Sequence, residues 1–228
     1  MHLFQKRSGR ITRPDSDQKK IGSAGRKSEA PRQGLVQVYT GKGKGKTTAA
    51  LGLALRASGR GLKVVFFQFM KPPESSGEHF MAQNLDHPFS IRPLGRRRWI
   101  SKSGPEPTDI EMARQGLDQV RKELGGGEID ILILDEVDLA IHLGLLKVEE
   151  ILDLLERKPP QVEVVLTGRS SPRAIIEQAD LVTEMKELKH PFRRPRLPVP
   201  FKRSQWRFAA FVPDYSGGTA PDLHRLSY

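Results

Sequence analysis

The chain has 228 residues, of which 37% are hydrophobic and none is cysteine, and it carries a formal net charge of +11. Such a length predicts one domain with appendages and a sizeable core, and the lack of cysteine excludes a disulfide framework and a thiolate metal site. No apolar run approaches the roughly 20 residues that a membrane helix needs. The opening MHLFQKRSGR lacks the apolar centre of a signal peptide, so a soluble, cytoplasmic protein without a membrane partner is expected.

The charge is unevenly spread. Residues 1–33 hold nine Lys/Arg against three Asp/Glu, and residues 191–228 hold seven against two, leaving 22 of each sign between them. The middle is therefore neutral and the excess sits in two tails. Basic tails are more often solvated than bound, and a nucleic-acid partner is not expected. Residues 1–33, polar and poor in aliphatics, read as a basic flexible N-terminal arm. Residues 34–192 read as the folded domain, and residues 193–228 as an atypical basic tail rich in proline and arginine.

Within the domain, Leu35 to Tyr39 forms a first apolar strand. It runs into Thr40, Gly41, Lys42, Gly43, Lys44, Gly45, Lys46, Thr47 and Thr48, and then into an alanine- and leucine-rich helix that ends near Gly59 and Gly61. Strand, glycine-rich turn and helix in that order make a phosphate cradle. The glycines let backbone N–H groups point inward, and the helix N-terminus adds positive potential toward an anion. Lys46 can reach a terminal phosphate and Thr47 can place a hydroxyl on Mg²⁺. The usual pattern begins with glycine, whereas this loop begins with Thr40.

Lys63 to Phe69 is too continuously apolar for a strand with one wet face and predicts a central parallel strand. Lys71-Pro72-Pro73 ends it, and a short helix follows from Ser75-Ser76-Gly77-Glu78 toward Leu85. Residues 86–107, with the cluster Arg96-Arg97-Arg98 before Trp99, read as a long loop at the rim of a site. Thr108 with Glu111 reads as a capping box opening a helix that buries Ile110, Ala113, Leu117, Val120 and Leu124 and stops at Gly125-Gly126-Gly127. Ile129 to Leu134 is a further buried strand, ending in Asp135-Glu136. A helix over Val148 to Leu155 closes at Pro159-Pro160. Val162 to Thr167 is a fourth strand, followed by Gly168-Arg169. Ser171 and Pro172 read as N-cap and first-turn proline of the next helix, and Leu181 to Met185 as a fifth, shorter strand. His142 reads as structural, and His79 and His87 as surface residues.

Alternating strands and helices predict an α/β fold, a P-loop NTPase-like, doubly wound and mainly parallel sheet with helices on both faces. Right-handed crossovers then bring the phosphate loop, Phe69–Lys71, Asp135-Glu136 and Thr167–Arg169 to one sheet edge. An apolar strand ending in a carboxylate can hold Mg²⁺ opposite the Thr47 hydroxyl. Glu136 offers a base or a second metal contact, and Arg169 is placed for a polyphosphate oxygen.

Several of these stretches together resemble the P-loop ATP:corrinoid adenosyltransferase family. The resemblance runs from Gly34 to Phe192. It rests on the loop through Thr48-Ala49-Ala50, Phe69-Met70-Lys71, Ser76-Gly77-Glu78 and Leu134-Asp135-Glu136. It continues with Leu166-Thr167-Gly168-Arg169, Ala179-Asp180-Leu181-Val182-Thr183-Glu184-Met185 and Lys189-His190-Pro191-Phe192. A phosphate loop alone is unspecific, whereas these segments in this order are specific. The family's loop also begins with threonine.

The resemblance implies that the Co(I) of a corrinoid attacks the 5′ carbon of ATP and expels triphosphate, in adenosylcobalamin biosynthesis or salvage. ATP and the corrinoid are then substrates, and Mg²⁺ or Mn²⁺ is the metal. Lys46, Glu136 and Arg169 are the implied catalytic residues, and residues 40–48 with Arg169 hold the nucleotide. Thr47, Asp135 and Glu136 are the implied metal side. Trp99 is the candidate aromatic near the corrinoid, although many members carry Gly-Phe-Thr-Trp where this chain has Arg96-Arg97-Arg98-Trp99. A homodimer and a Co(II) reductant such as a flavoprotein are implied partners. The family's usual ending is missing after Phe192, so residues 193–228 read as an extension or an altered reading frame. Two other readings stay open at this point: an ATP hydrolase or kinase on the same fold, and a non-catalytic ATP- and corrinoid-binding protein.

Overall fold

A computed structural model describes residues 33–84, 89–96, 100 and 104–189. Six strands form one sheet: β1 (Val36–Thr40), β2 (Val64–Phe69), β3 (Phe89–Leu94), β4 (Ile131–Asp135), β5 (Glu163–Thr167) and β6 (Leu181–Glu184). Their order across the sheet is β3-β2-β4-β5-β1-β6, and every pairing is parallel. Six helices connect them: α1 (Lys46–Ser58), α2 (Gly77–Asn84), α3 (Pro107–Gly125), α4 (Val137–His142), α5 (Val148–Glu156) and α6 (Arg173–Gln178). Among the described residues no helix is long and apolar enough to cross a membrane.

The sheet is covered on both faces because side chains alternate along each central strand. Val65, Phe67, Leu132, Leu134, Val164 and Leu166 point to one core, which α3 closes with Ala113, Leu117, Val120 and Leu124 and α5 with Ile151, Leu154 and Leu155. Val64, Phe66, Ile131, Ile133 and Val165 point to the other, where Ala50, Ala54 and Ala57 of α1 lie against them. Small residues at that spacing let α1 approach the sheet closely, directly behind the phosphate loop. This is the doubly wound arrangement expected from the sequence.

Three local expectations are corrected. Residues 89–94 are not loop but the edge strand β3, pairing with β2 from Val64↔Phe89 to Phe69↔Leu94. Arg92 and Pro93 hid it, and both suit an edge. Proline costs no ladder bond on the open side, and the Arg92 guanidinium lies 5.5 Å from the Phe67 ring centroid while pairing with Glu123. Helix α3 is capped by Glu106 and Asp109, not by Thr108 and Glu111, since Pro107 already occupies its first turn. Helix α6 begins at Arg173 with Pro172 as its N-cap, and Ser171 is used elsewhere. Helix α4 was not anticipated, being only six residues long.

Candidate functional site

The C-terminal ends of β1, β2, β4 and β5 meet at one edge of the sheet, and the site is built on them. The phosphate loop leaves β1 at Thr40. Gly41 and Gly45 have φ of 101° and 120°, conformations that L side chains rarely adopt. Gly43 donates its N–H to the Met185 carbonyl at 2.7 Å, and Met185 donates back to Thr40 O at 2.8 Å. The segment after β6 thus clamps the loop. A Cβ on Gly43 would stand 2.6 Å from Met185 O, so Gly43→Ala is expected to push the loop off this clamp. The expected result is a destabilisation of about 1–3 kcal/mol in denaturant melts, together with weakened ATP binding.

Lys46 opens α1 and is 7% exposed. Its Nζ donates to the carbonyls of Gly41 at 2.6 Å and Gly43 at 2.8 Å. Burial lowers its pKa, against the pull of Glu136 and with the push of Arg169. Thr47, one residue on, donates from Oγ1 to Asp135 Oδ1 at 2.8 Å. Strand β5 lies between β1 and β4, and Thr167 at its end also donates to Asp135 Oδ1, at 2.7 Å. The loop and the acidic strand end are therefore tied across the intervening strand.

Asp135 is fully buried. Its second oxygen, Oδ2, accepts from Gln68 Nε2 at 3.2 Å and Lys71 Nζ at 3.1 Å. Four donors surround one carboxylate, which is how a buried charge is made tolerable. Lys71 also reaches Glu78 at 3.5 Å. Burial alone would raise the Glu78 pKa, but its backbone bond, Lys71, Gln68 and Ser76 together lower it. His79, expected at the surface, is 4% exposed. Its Nε2 lies 2.6 Å from Gln68 Oε1, which anchors α2 to the same network. His142, by contrast, is exposed at the end of α4.

Glu136 follows Asp135 with φ 59° and ψ 22°, a left-handed conformation for a non-glycine residue, and Met70 past β2 shares it with φ 59°. Strain of this kind costs about 1–3 kcal/mol per residue and here flanks the site on two strand ends. Burial, then the neighbouring Asp135, raises the Glu136 pKa, and Oε2 has no hydrogen-bond partner. Asp138 is 1% exposed, and burial pushes its carboxyl up to about 6 against a hydrogen bond from Ser171. Arg169 is exposed on the turn after β5, close enough to Lys46 and Glu136 to perturb both.

Among the described residues no group of three or more His, Asp or Glu could hold a metal ion by itself. Mg²⁺ is ordinarily held by one or two carboxylates together with substrate phosphates. The unpartnered Glu136 oxygen, next along the chain to the Asp135 that Thr47 bonds, fits such a partial ligand set.

Lys46, Thr47, Asp135, Glu136 and Arg169 are thus brought to one edge. Trp99, Arg97 and Arg98 lie outside the described residues, as do His190-Pro191-Phe192, His87 and both basic tails apart from Gln33. Arg96 is engaged by two carboxylates. Its Nε donates to Asp109 Oδ1 at 2.6 Å and its Nη2 to Glu106 Oε2 at 2.7 Å, at the start of α3. The residues that sequence reasoning missed are Gln68, Asp138 and Ser171. A glutamine inside an apolar strand and an aspartate two residues after a buried acidic pair were the available signals.

A family model described as ATP:corrinoid adenosyltransferase BtuR/CobO/CobP matches residues 32–197. The chain is 34% identical over 160 residues to a corrinoid adenosyltransferase of Escherichia coli (strain K12), covering 70% of this chain and 80% of that protein. It is 32% identical over 162 residues to a corrinoid adenosyltransferase of Pseudomonas aeruginosa, with 71% and 79% covered. An uncharacterized protein of Nostoc sp. is 32% identical over 170 residues, 69% of this chain but 45% of that protein, so the chain spans less than half of that relative's length. A match this long, with the phosphate loop, acidic strand end and β5 turn all inside it, settles the relationship: the chain belongs to the ATP:corrinoid adenosyltransferase family.

Proposed function

We propose that this protein transfers the 5′-deoxyadenosyl group of ATP to the Co(I) of a corrinoid and releases triphosphate. The cobalt supplies the electron pair for the new cobalt–carbon bond and is formally oxidised to Co(III). The bond from C5′ to oxygen breaks, and its electron pair leaves on the triphosphate. No phosphoryl group moves and no water is activated, so a general base is not needed. The protein's work is positioning and stabilising the leaving group's charge.

In this reading the backbone of residues 41–48 and Lys46 hold the triphosphate, and Arg169 meets it from the β5 turn. Thr47 and Glu136, with Asp135 behind them, hold Mg²⁺ or Mn²⁺, which when bound neutralises charge on the departing oxygens. Trp99 remains the candidate for contact with the corrinoid. A homodimer and a flavoprotein-type Co(II) reductant complete the proposal. The observation that carries it is the convergence of the family's separate segments on one sheet edge around Lys46 and Asp135.

The test is product analysis with ATP, Mg²⁺ and chemically reduced cobalamin. Triphosphate is expected, and only when the corrinoid is present. ADP and orthophosphate formed without corrinoid would instead mark an ATP hydrolase, and binding with no change in the corrinoid spectrum a carrier.

A further inference from the structure

Thr40 ends β1, Asp138 lies in the first turn of α4 beyond β4, and Ser171 follows β5. Three strands therefore deliver these three residues to the same edge. They are joined. The Ser171 backbone N–H donates to Thr40 Oγ1 at 3.1 Å, and Ser171 Oγ donates to Asp138 Oδ2. On the other side of Arg169, the Gly168 N–H donates to the Tyr39 carbonyl at 3.2 Å. Gly168 also lies flat against Asp138, where a Cβ would stand 2.2 Å from Asp138 Cβ. The turn that carries Arg169 is pinned at the residue before it and at the second residue after it.

Asp138 is buried and Ser171 half-buried, so these bonds are sheltered from competing water and count for more than surface ones. Arg169 itself is exposed. A long guanidinium recognises phosphate oxygens well only when its base is held in one orientation.

We propose that Thr40, Asp138 and Ser171 are positioning residues, a latch that fixes the Arg169 turn to the phosphate loop and so sets affinity for the nucleotide's polyphosphate. This deepens, and rests on, the reading of Arg169 as a nucleotide ligand. It also gives a physical reason for threonine at the first loop position. Glycine there would leave the Ser171 N–H without this acceptor.

The test uses full-length variants, read by ATP affinity, by KM for ATP and for reduced corrinoid, and by melting temperature. Ser171→Ala and Thr40→Val each remove one latch bond and are expected to weaken ATP binding about three- to tenfold, with the corrinoid KM unchanged. Asp138→Asn keeps an oxygen for the Ser171 hydroxyl and is expected within about twofold of the parent, and Thr40→Ser keeps the acceptor and is expected to bind ATP more tightly than Thr40→Val. Because the latch acts through Arg169, Ser171→Ala added to Arg169→Ala is expected to cost no further ATP affinity. Additive losses in that pair, or equal rises in both KM values, would overturn the latch. Should Arg169→Ala weaken ATP binding while Ser171→Ala and Thr40→Val do not, the latch alone fails. Should Arg169→Ala leave ATP binding intact, the ligand reading of Arg169 fails and the latch with it.

Discussion

Lys46→Ala is expected to abolish detectable adenosyl transfer, with a fall of about 10²–10³ in turnover from the loss of one charge-stabilising donor. The Nζ is held by two loop carbonyls, where the proposed reaction would develop charge on a leaving triphosphate. Burial already disfavours the lone ammonium there, so an arriving polyanion meets a cation that gains by being paired. Lys46→Arg is not expected to rescue, because a planar fork does not fit a pocket that closes around a point charge. The measurement is triphosphate release from ATP with pre-reduced corrinoid, beside a far-ultraviolet spectrum showing that the fold is kept. Near-normal turnover in Lys46→Ala would remove the cradle from the mechanism.

The largest expected effect on stability lies at Asp135. Removing its carboxylate strands the hydroxyls of Thr47 and Thr167, the Gln68 amide and the Lys71 ammonium, all of which donate to it. Breaking one partner of a buried ion pair costs about 3–5 kcal/mol, equivalent to a drop of roughly 10 °C in melting temperature for a domain of this size. Asp135→Asn is expected to recover only part of the loss. Its oxygen can still serve the two threonines, but its amide would face the Gln68 and Lys71 donors. Melting of Asp135→Ala within a degree or two of the parent would show that the network does not hold the site together.

How much of this was legible follows from which signals are local. Strands β2, β4 and β5 were readable as near-continuous apolar runs because both of their faces are buried, and β1 as a short apolar run leading into the phosphate loop. The phosphate loop was readable from its glycines and its flanking elements. Strand β3 was not, because an edge strand tolerates Arg92 and Pro93 and so carries no apolar run. His79 looked like a surface residue because nothing in its neighbourhood along the chain announces Gln68, eleven residues earlier in β2. Ser171 looked like a helix cap because serine before proline usually is one; its hydroxyl is taken by Asp138 instead. Arg96 looked like part of a basic rim and is bound to the start of α3.

The succession along the chain of every element except β3 and α4, the phosphate loop and the identity of the acidic strand end were decided by the chain alone, since each depends on neighbours within a few residues. The partners of those groups were decided only by the fold. Asp135 meets Thr47 across 88 residues of chain and Thr167 across 32, and Thr40 meets Ser171 across 131. Such contacts exist because parallel strands deliver their C-terminal ends to one edge whatever their separation in sequence. Which side chains then face one another depends on strand order, here with β5 between the loop strand and the acidic strand, and periodicity does not encode that order.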